Sequence, residues 1–361
     1  MLKLILSSVL LFSATFACAQ TREWTVMAYV NGRNNLESNA LKDLHELELG
    51  YHKQDKVSIV VELARSADFA KREGNWSGVR RFEVLGNLNP FALRMNDMKI
   101  LSPDTDMGSP EELVAFIRWA KTRYPAKRYL LVMWGHGISN IGLSTDNLTG
   151  HYITLPALKS ALISTGGVDV LFADACAMQT VEFVYEMRGA AKYVVGSQLD
   201  TPKTGFPYYS LARLVHAPQM TARKLSAVIA GDYVKRYMLS SKPVIISAAD
   251  VSRAGQLSGL MRANMRAVPR QLKRKFLLDF FWQTGDFSKG IKKFEYFDRA
   301  LAANDKRMDS IVRGQLIFFK AANHKELGGL SGLGMGLPRT MDFMLRYLQL
   351  DFHTDSGARF R

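Results

Sequence analysis

Short apolar runs alternate along this chain with segments in which apolar residues recur at helical spacing. The runs have the length and β-branched content of strands, and they occupy residues 24–30, 57–63, 129–134, 168–173 and 192–197, with an edge strand at 79–84. The helical spacing predicts helices at residues 36–49, 109–123, 156–163 and 178–188. Continuously apolar strands that alternate with helices are typical of a parallel sheet between two helical layers.

The pattern changes near residue 210, after which helical spacing dominates at residues 221–238, 252–282 and 305–322. A strand at 243–249 and a glycine-rich strand or turn at 332–337 interrupt these helices. We therefore expect an α/β core over residues 20–210 and a mostly helical part over residues 211–361 that packs on it.

The first residues resemble a secretory signal peptide. Lys3 is followed by an almost wholly apolar run, and small residues precede a cleavage point after Ala19. We expect residues 1–19 to be removed and the protein to be exported to the periplasm or the medium. The alternatives are a membrane anchor, a buried strand, or a lipoprotein lipidated at Cys18, which the residues before that cysteine fit poorly.

Once the signal peptide is removed, Cys176 is the single cysteine. A thiol with no disulfide partner in an oxidising compartment is a candidate reactive group, although many single cysteines are small buried hydrophobes. The net charge of +15 predicts attraction to anionic partners, such as a cell surface. The basic residues are scattered and no basic-aromatic motif accompanies them, so we expect no specific nucleic-acid binding.

Two predicted strands end in residues that can carry chemistry. Gly135-His136-Gly137 follows the first strand, and Asp174-Ala175-Cys176 follows the second. One predicted helix lies between them, which makes a βαβ unit with parallel strands. Since the carboxyl ends of parallel strands meet at one edge of the sheet, where ligands bind, we expect His136 and Cys176 to face each other.

A histidine beside a thiol can act as general base for nucleophilic attack on a peptide carbonyl. The amides of Gly137 and Cys176 are candidate donors to the oxyanion. A helix that starts near Met178 would favour the thiolate through its dipole. Taken singly, His136 and Cys176 are each more often structural, and their joint position favours catalysis. A zinc site needs three or four suitably spaced ligands, which the sequence does not supply.

Several stretches resemble the clostripain family of cysteine peptidases, whose fold is related to that of caspases and gingipains. Trp134-Gly135-His136-Gly137 is similar to its histidine motif, and Asp174-Ala175-Cys176-Ala177-Met178 to its cysteine motif. Residues 24–37, 193–198, 205–208 and 330–338 are similar to other family segments.

The resemblance implies a caspase-like three-layer α/β/α sandwich with a mainly parallel central sheet and a helical C-terminal extension. It implies a His136–Cys176 dyad that cleaves proteins or peptides after basic residues, mainly arginine, with Asp174 lining the specificity pocket. A strand-end residue that caps the next helix is the alternative role for Asp174.

The sequence also departs from the family pattern. Ser197-Gln198 stands where a Ser-Glu pair is usual, which affects the substrate-binding contacts expected of both residues. Lys159 is the only basic residue between the two motifs, so self-cleavage there is not expected. These departures keep open an inactive binding protein at the cell envelope. The resemblance makes calcium a candidate cofactor, although the acidic residues form no recognisable calcium loop, and the sequence predicts no oligomeric state.

Overall fold

A nine-stranded sheet crosses the protein in the order β11-β10-β9-β8-β5-β1-β2-β3-β4. The computed structural model describes residues 21–66, 73–87, 89, 92–259, 306–334, 346 and 348–356. The strands of this sheet are β1 Arg22–Gly32, β2 Val57–Arg65, β3 Gly78–Val84, β4 Met95–Ile100, β5 Ala126–Trp134, β8 Val168–Asp174, β9 Ala191–Ser197, β10 Ile245–Asp250 and β11 Ile317–Ala322. A small second sheet pairs β6 Gly142–Leu143 with β7 Ile153–Thr154.

The centre of the large sheet is parallel and its two margins are antiparallel. Strands β2, β1, β5, β8 and β9 pair in parallel. Strands β3 and β4 extend one margin, and β10 and β11 extend the other. The predicted parallel sheet is confirmed, and so is a strand at residues 79–84. Its prediction as an edge strand is wrong, because β4 pairs with its outer side.

Helices cover both faces of the sheet. They are α1 Glu37–Gly50, α2 Pro110–Arg123, α3 Leu155–Ser164, α4 Val181–Glu186, α5 Arg213–His216, α6 Ala222–Arg236, α7 Lys306–Ile311 and α8 Asp351–Ser356. Helices α1, α5 and α6 share one apolar core with the sheet, whereas α2, α3, α4 and α8 share the other. Side chains that alternate along β1 enter both cores, Met27 and Tyr29 on one face and Val26 and Ala28 on the other. The predicted three-layer α/β/α fold class is confirmed.

The C-terminal part contributes more to the sheet than its helical spacing predicts. The helix predicted over residues 305–322 is wrong in its second half, because α7 ends at Ile311, a π-helical turn follows, and Ile317–Ala322 pairs with β10. The pairing outweighs the helical spacing of a segment rich in β-formers. Strands β10 and β11 lie beyond residue 210, so the sheet continues into the region predicted to be mostly helical.

Some predicted segments lie wholly or largely outside the described residues. They include the signal peptide over 1–19, most of the helix at 252–282 and most of the glycine-rich segment at 332–337. Within the part of the chain that the structure describes, no helix has both the length and the apolar character to cross a bilayer.

Candidate active site

His136 and Cys176 follow two neighbouring strands at matching positions. Strands β5 and β8 are parallel, and the last register pair that joins them is Trp134 with Asp174. Each candidate residue comes two positions after its member of this pair. The amide of Gly135 donates to the carbonyl of Asp174 at 3.4 Å, which continues the contact past the strands. The structure therefore brings the two motifs together at one sheet edge, as the sequence predicts.

Gly137 lies directly against the cysteine loop. A methyl group built on Gly137 would lie 2.6 Å from the carbonyl oxygen of Cys176 and 3.0 Å from the Cβ of Ala175. No side chain fits in this space without moving backbone, which explains the glycine physically. The two loops are thus packed as one unit.

The imidazole of His136 is half-buried and has a defined partner. Its Nε2 lies 2.8 Å from Oδ1 of Asn35, a residue in the turn after β1. Burial lowers the pKa of His136, and the charge of Lys203 lowers it further. An oxygen acceptor beside Nε2 fixes the ring proton there and leaves the lone pair on Nδ1. The sequence analysis missed Asn35, whose only signal is its place in the family-like opening segment.

The Cys176 thiol is also half-buried, and the backbone of one loop residue contacts it. The amide of Thr201 donates to Sγ at 3.4 Å. Burial raises the pKa of Cys176, and the charges of Asp200 and Asp174 raise it further, against the lowering by Thr201. The resting thiol is therefore protonated at neutral pH.

The helix expected to support the thiolate starts too late to do so. Helix α4 begins at Val181 with Thr180 as its N-cap and has only 6 residues. The amide of Ala177 donates to Leu199 and that of Gln179 to Ser197, so the intervening backbone is committed to the neighbouring loop. Ala177 has a φ of +52°, which a helix cannot accommodate. The predicted helix start near Met178 is wrong for this reason.

The two amides predicted to bind the oxyanion are uncommitted. The bridge between the histidine loop and Leu143 uses the amides of Ile138 and Ser144, which flank the bridged residues. Among the residues that the structure describes, no acceptor binds the amide of Gly137 or that of Cys176. Both N–H groups are therefore available to a ligand.

The Asp174 carboxyl lies beneath this edge, 6% exposed. It accepts a hydrogen bond of 2.7 Å from the Tyr208 hydroxyl and another from the amide of Phe206. Burial raises the pKa of Asp174 to about 6, although these hydrogen bonds lower it. Its alternative role as a helix cap is wrong, since the side chain of Thr180 accepts from the Phe183 amide at the start of α4.

Ser197 and Gln198 are buried at the end of β9. The Ser197 hydroxyl lies 2.7 Å from the carbonyl oxygen of Leu199 and 3.0 Å from that of Ile245, and its single proton serves these two acceptors. The side-chain amide of Gln198 donates through Nε2 to the carbonyl of Leu333 at 3.0 Å. These contacts hold the loop that carries Thr201, and a direct part in substrate binding stays a prediction.

Asp146, an acidic residue between the two motifs, is committed to other partners. Asp146 is fully buried and binds Arg33 at 3.3 Å and the amide of Met107 at 3.1 Å. Within the described ranges, no group of three or more His, Cys, Asp or Glu side chains could hold a metal ion.

Comparisons with known proteins point to one family. The model of the clostripain family, C11, matches residues 28–306. Clostripain of Hathewaya histolytica is 27% identical over 187 residues, which cover 45% of this chain and 36% of the clostripain chain. This chain therefore spans little more than a third of that relative's length.

Two solved structures have the same fold. An inactive zymogen C11 protease from Parabacteroides distasonis matches with a TM-score of 0.69 and 18% identity, over 93% of this chain and 98% of its own. A secreted C11 cysteine protease from Bacteroides thetaiotaomicron, in complex with an irreversible peptide inhibitor, matches with a TM-score of 0.67 and 18% identity, over 94% and 100%. The motifs, the fold and the family match together show that this chain belongs to the clostripain family of cysteine peptidases.

Proposed function

We propose that this protein is an exported cysteine endopeptidase that cleaves after basic residues, with His136 and Cys176 as its catalytic dyad. The observation that carries the proposal is the register of β5 and β8, from which both residues emerge two positions beyond one strand pair. The substrates are proteins or peptides with arginine, and to a lesser extent lysine, before the scissile bond.

The resting dyad is a neutral pair. Burial raises the pKa of the Cys176 thiol and lowers that of the His136 imidazole, so neither group is charged near pH 7. Asn35 accepts the proton on Nε2, which leaves Nδ1 of His136 to take the thiol proton. Proton transfer therefore accompanies attack, and no preformed ion pair is required.

The reaction then follows two steps. The Cys176 sulfur bonds to the carbonyl carbon, and the negative charge on the carbonyl oxygen is stabilised by the free amides of Gly137 and Cys176. His136 gives its proton to the leaving amine as the C–N bond breaks, which leaves a thioester. A water molecule that loses a proton to His136 cleaves the thioester and restores the thiol.

Asp174 supplies the specificity for a basic side chain. Its buried carboxyl has two neutral donors, Tyr208 and the amide of Phe206, and a guanidinium would give it a charge-assisted partner. Ser197 and Gln198 act indirectly by holding the adjacent loop. Export follows from the signal peptide proposed at residues 1–19, with lipidation at Cys18 as the second candidate.

A cleavage assay tests the proposal. Purified protein that begins at residue 20 is incubated with peptides that carry Arg, Lys, Leu or Asp before the scissile bond, in reducing buffer with and without calcium. We expect cleavage after Arg, a weaker rate after Lys, and loss of about 10⁴-fold or more in Cys176→Ala and His136→Ala. Cleavage that survives in Cys176→Ala, or no thiol-dependent cleavage of any peptide, would contradict it. The latter result would favour the inactive binding protein.

A further inference from the structure

Asp43 is a buried acidic residue that the peptidase mechanism does not use. It lies in α1 and is 3% exposed. Its Oδ2 accepts a hydrogen bond of 2.9 Å from the indole of Trp134. Its Oδ1 has no hydrogen-bond partner among the described residues. A buried carboxyl oxygen without a partner is costly, so its presence calls for a physical reason.

Asp43 and Asp174 share their neighbours. Trp134, which binds Asp43, is the register partner of Asp174. A methyl group built on Gly205 would lie 2.9 Å from Oδ2 of Asp43, and the amide of the next residue, Phe206, donates to Asp174. The strand pair and the loop thus hold both carboxyls side by side, and the charge of Asp174 raises the pKa of Asp43.

Tyrosines of α6 complete this cluster. The Tyr237 hydroxyl donates to the carbonyl of Gly205 at 2.9 Å. The Tyr233 side chain is 1% exposed, and its hydroxyl has no partner among the residues described. The Tyr233 ring lies 5.3 Å from the ring of Tyr237. Burial raises the pKa of Tyr233, and the charges of Asp174, Tyr237 and Cys176 raise it further. The cluster therefore contains two unsatisfied polar groups, Oδ1 of Asp43 and this hydroxyl.

The two cationic side chains near the cluster, Arg236 and Lys42, both pair with Glu46. Arg236 of α6 binds Glu46 through both terminal nitrogens, at 2.7 and 2.6 Å. Lys42 also pairs with Glu46, at 3.5 Å, and is largely exposed. The remaining titratable groups that face Asp43 are Asp174 and the hydroxyls of Tyr208 and Tyr237.

We propose that Asp43 is a second specificity-determining carboxyl, which joins Asp174 in binding the guanidinium of a substrate arginine. A guanidinium carries five N–H donors in a planar fork, enough to bind one carboxyl along each edge and the Tyr233 hydroxyl. Lysine offers only three donors on one nitrogen and cannot bridge both groups as well. This inference rests on the proposed function, because it assigns a partner to the same pocket.

Binding of a cation at this site should release a proton from the protein. Burial and the charge of Asp174 raise the pKa of Asp43 well above its usual range, which favours the neutral form of this carboxyl while no cation is bound. A bound guanidinium stabilises the charged form and lowers that pKa. Binding must therefore release a proton. If Asp43 only anchored Trp134, the ligand would lower its pKa only by offsetting the charge of Asp174, and less proton would be released.

Calorimetry on the wild-type protein tests this point without a variant. Acetyl-arginine amide is titrated at pH 7.5 in two buffers of different ionisation enthalpy, and acetyl-citrulline amide, neutral and nearly isosteric, serves as the control ligand. We expect net proton release with the arginine ligand, and none with citrulline. At this pH Asp174, whose pKa is about 6, is already charged and contributes little. Arginine binding without proton release would overturn the inference.

Asp43→Asn keeps an acceptor for Trp134 and removes the charge. We expect KM for the arginine peptide to rise roughly 10- to 100-fold with little change in kcat, the preference for Arg over Lys to shrink, and the proton release to vanish. The rate of Cys176 alkylation by iodoacetamide, which needs no pocket, should be unchanged. Asp55→Asn, at an exposed carboxyl, removes the same charge as a control.

The outcomes separate this inference from the proposed function. Wild-type KM and Arg preference in Asp43→Asn would overturn the role of Asp43 and leave the peptidase proposal intact. A wild-type enzyme that cleaves no basic peptide would instead overturn the proposed specificity itself.

Discussion

Two buried acidic sites in this sheet are treated in opposite ways. At the β2–β3 margin, Glu62 is fully buried and Arg81 binds it at 2.6 Å, with a second bond of 2.7 Å to Glu112. At the catalytic edge, Asp43 and Asp174 are 3% and 6% exposed, and the side chains that donate hydrogen bonds to them, Trp134 and Tyr208, are neutral. The fold thus provides a buried cation for Glu62, whereas in our proposal a substrate guanidinium supplies the cation for Asp43 and Asp174.

We expect the largest effect from a substitution that breaks the buried Glu62–Arg81 pair. Arg81→Leu leaves Glu62 buried without its guanidinium, which should cost about 3–5 kcal/mol of unfolding free energy. Urea denaturation measures this loss, with exposed Arg253→Leu as the control, expected within about 0.5 kcal/mol of wild type. An unchanged midpoint in Arg81→Leu would show that the two sites do not differ as described.

Asp174→Asn removes charge from the unpaired site and keeps the acceptor for Tyr208. Because a substrate guanidinium loses a buried ionic partner, we expect kcat/KM for an arginine peptide to fall about 10²- to 10³-fold. Unfolding free energy should not fall, in contrast with Arg81→Leu. Steady-state kinetics measures the loss of kcat/KM, and urea denaturation of the same preparations measures the unfolding free energy. Retained arginine specificity would contradict the role of Asp174.

The pH dependence of stability sharpens the comparison. Since burial raises the pKa of Asp174 to about 6 in the folded state, the folded state binds a proton that the unfolded state has already lost above about pH 4. The protonated Asp174 carboxyl therefore contributes its full stabilisation below about pH 4. As the pH rises through 6, this contribution of about 3 kcal/mol is lost. Asp174→Asn should remove this slope, measured as the difference in unfolding free energy between the two proteins. Identical slopes would contradict the raised pKa.

The smallest effect concerns Asn35, a positioning residue that acts through His136. Asn35→Ala removes an oriented hydrogen bond worth about 1–2 kcal/mol, so kcat should fall roughly tenfold with KM nearly unchanged. Asn35→Asp restores the acceptor and should restore much of kcat, while its charge moves the acid limb of the pH profile upward. A pH profile identical in all three proteins would indicate a purely structural role.

The sequence predicts the central strands well, because strands buried on both faces are continuously apolar and their ends mark His136, Cys176 and Asp174. It does not predict β11, where pairing with β10 overrides helical spacing. The late start of α4 was equally hidden, because hydrogen bonds to the loop after β9 determine it.

Asp43 and the partner of Asp174, Tyr208, escaped the sequence analysis because their contacts are distant along the chain. Asp43 and Trp134 are 91 positions apart, and Tyr208 and Asp174 are 34 apart. One signal was available for Asp43. It lies one turn from Ala40 and from Leu47, both buried, so helical spacing places a carboxyl on the apolar face of α1.

The most direct test of the catalytic edge is the rate at which a peptidyl-arginine chloromethyl ketone alkylates the protein at pH 7, with the modified residue located by peptide mass spectrometry. The account predicts a single adduct on Cys176, slowed at least tenfold in His136→Ala and by acetyl-arginine amide. An unreactive Cys176 in the folded protein, or a rate indifferent to His136, would contradict the pairing of these two residues.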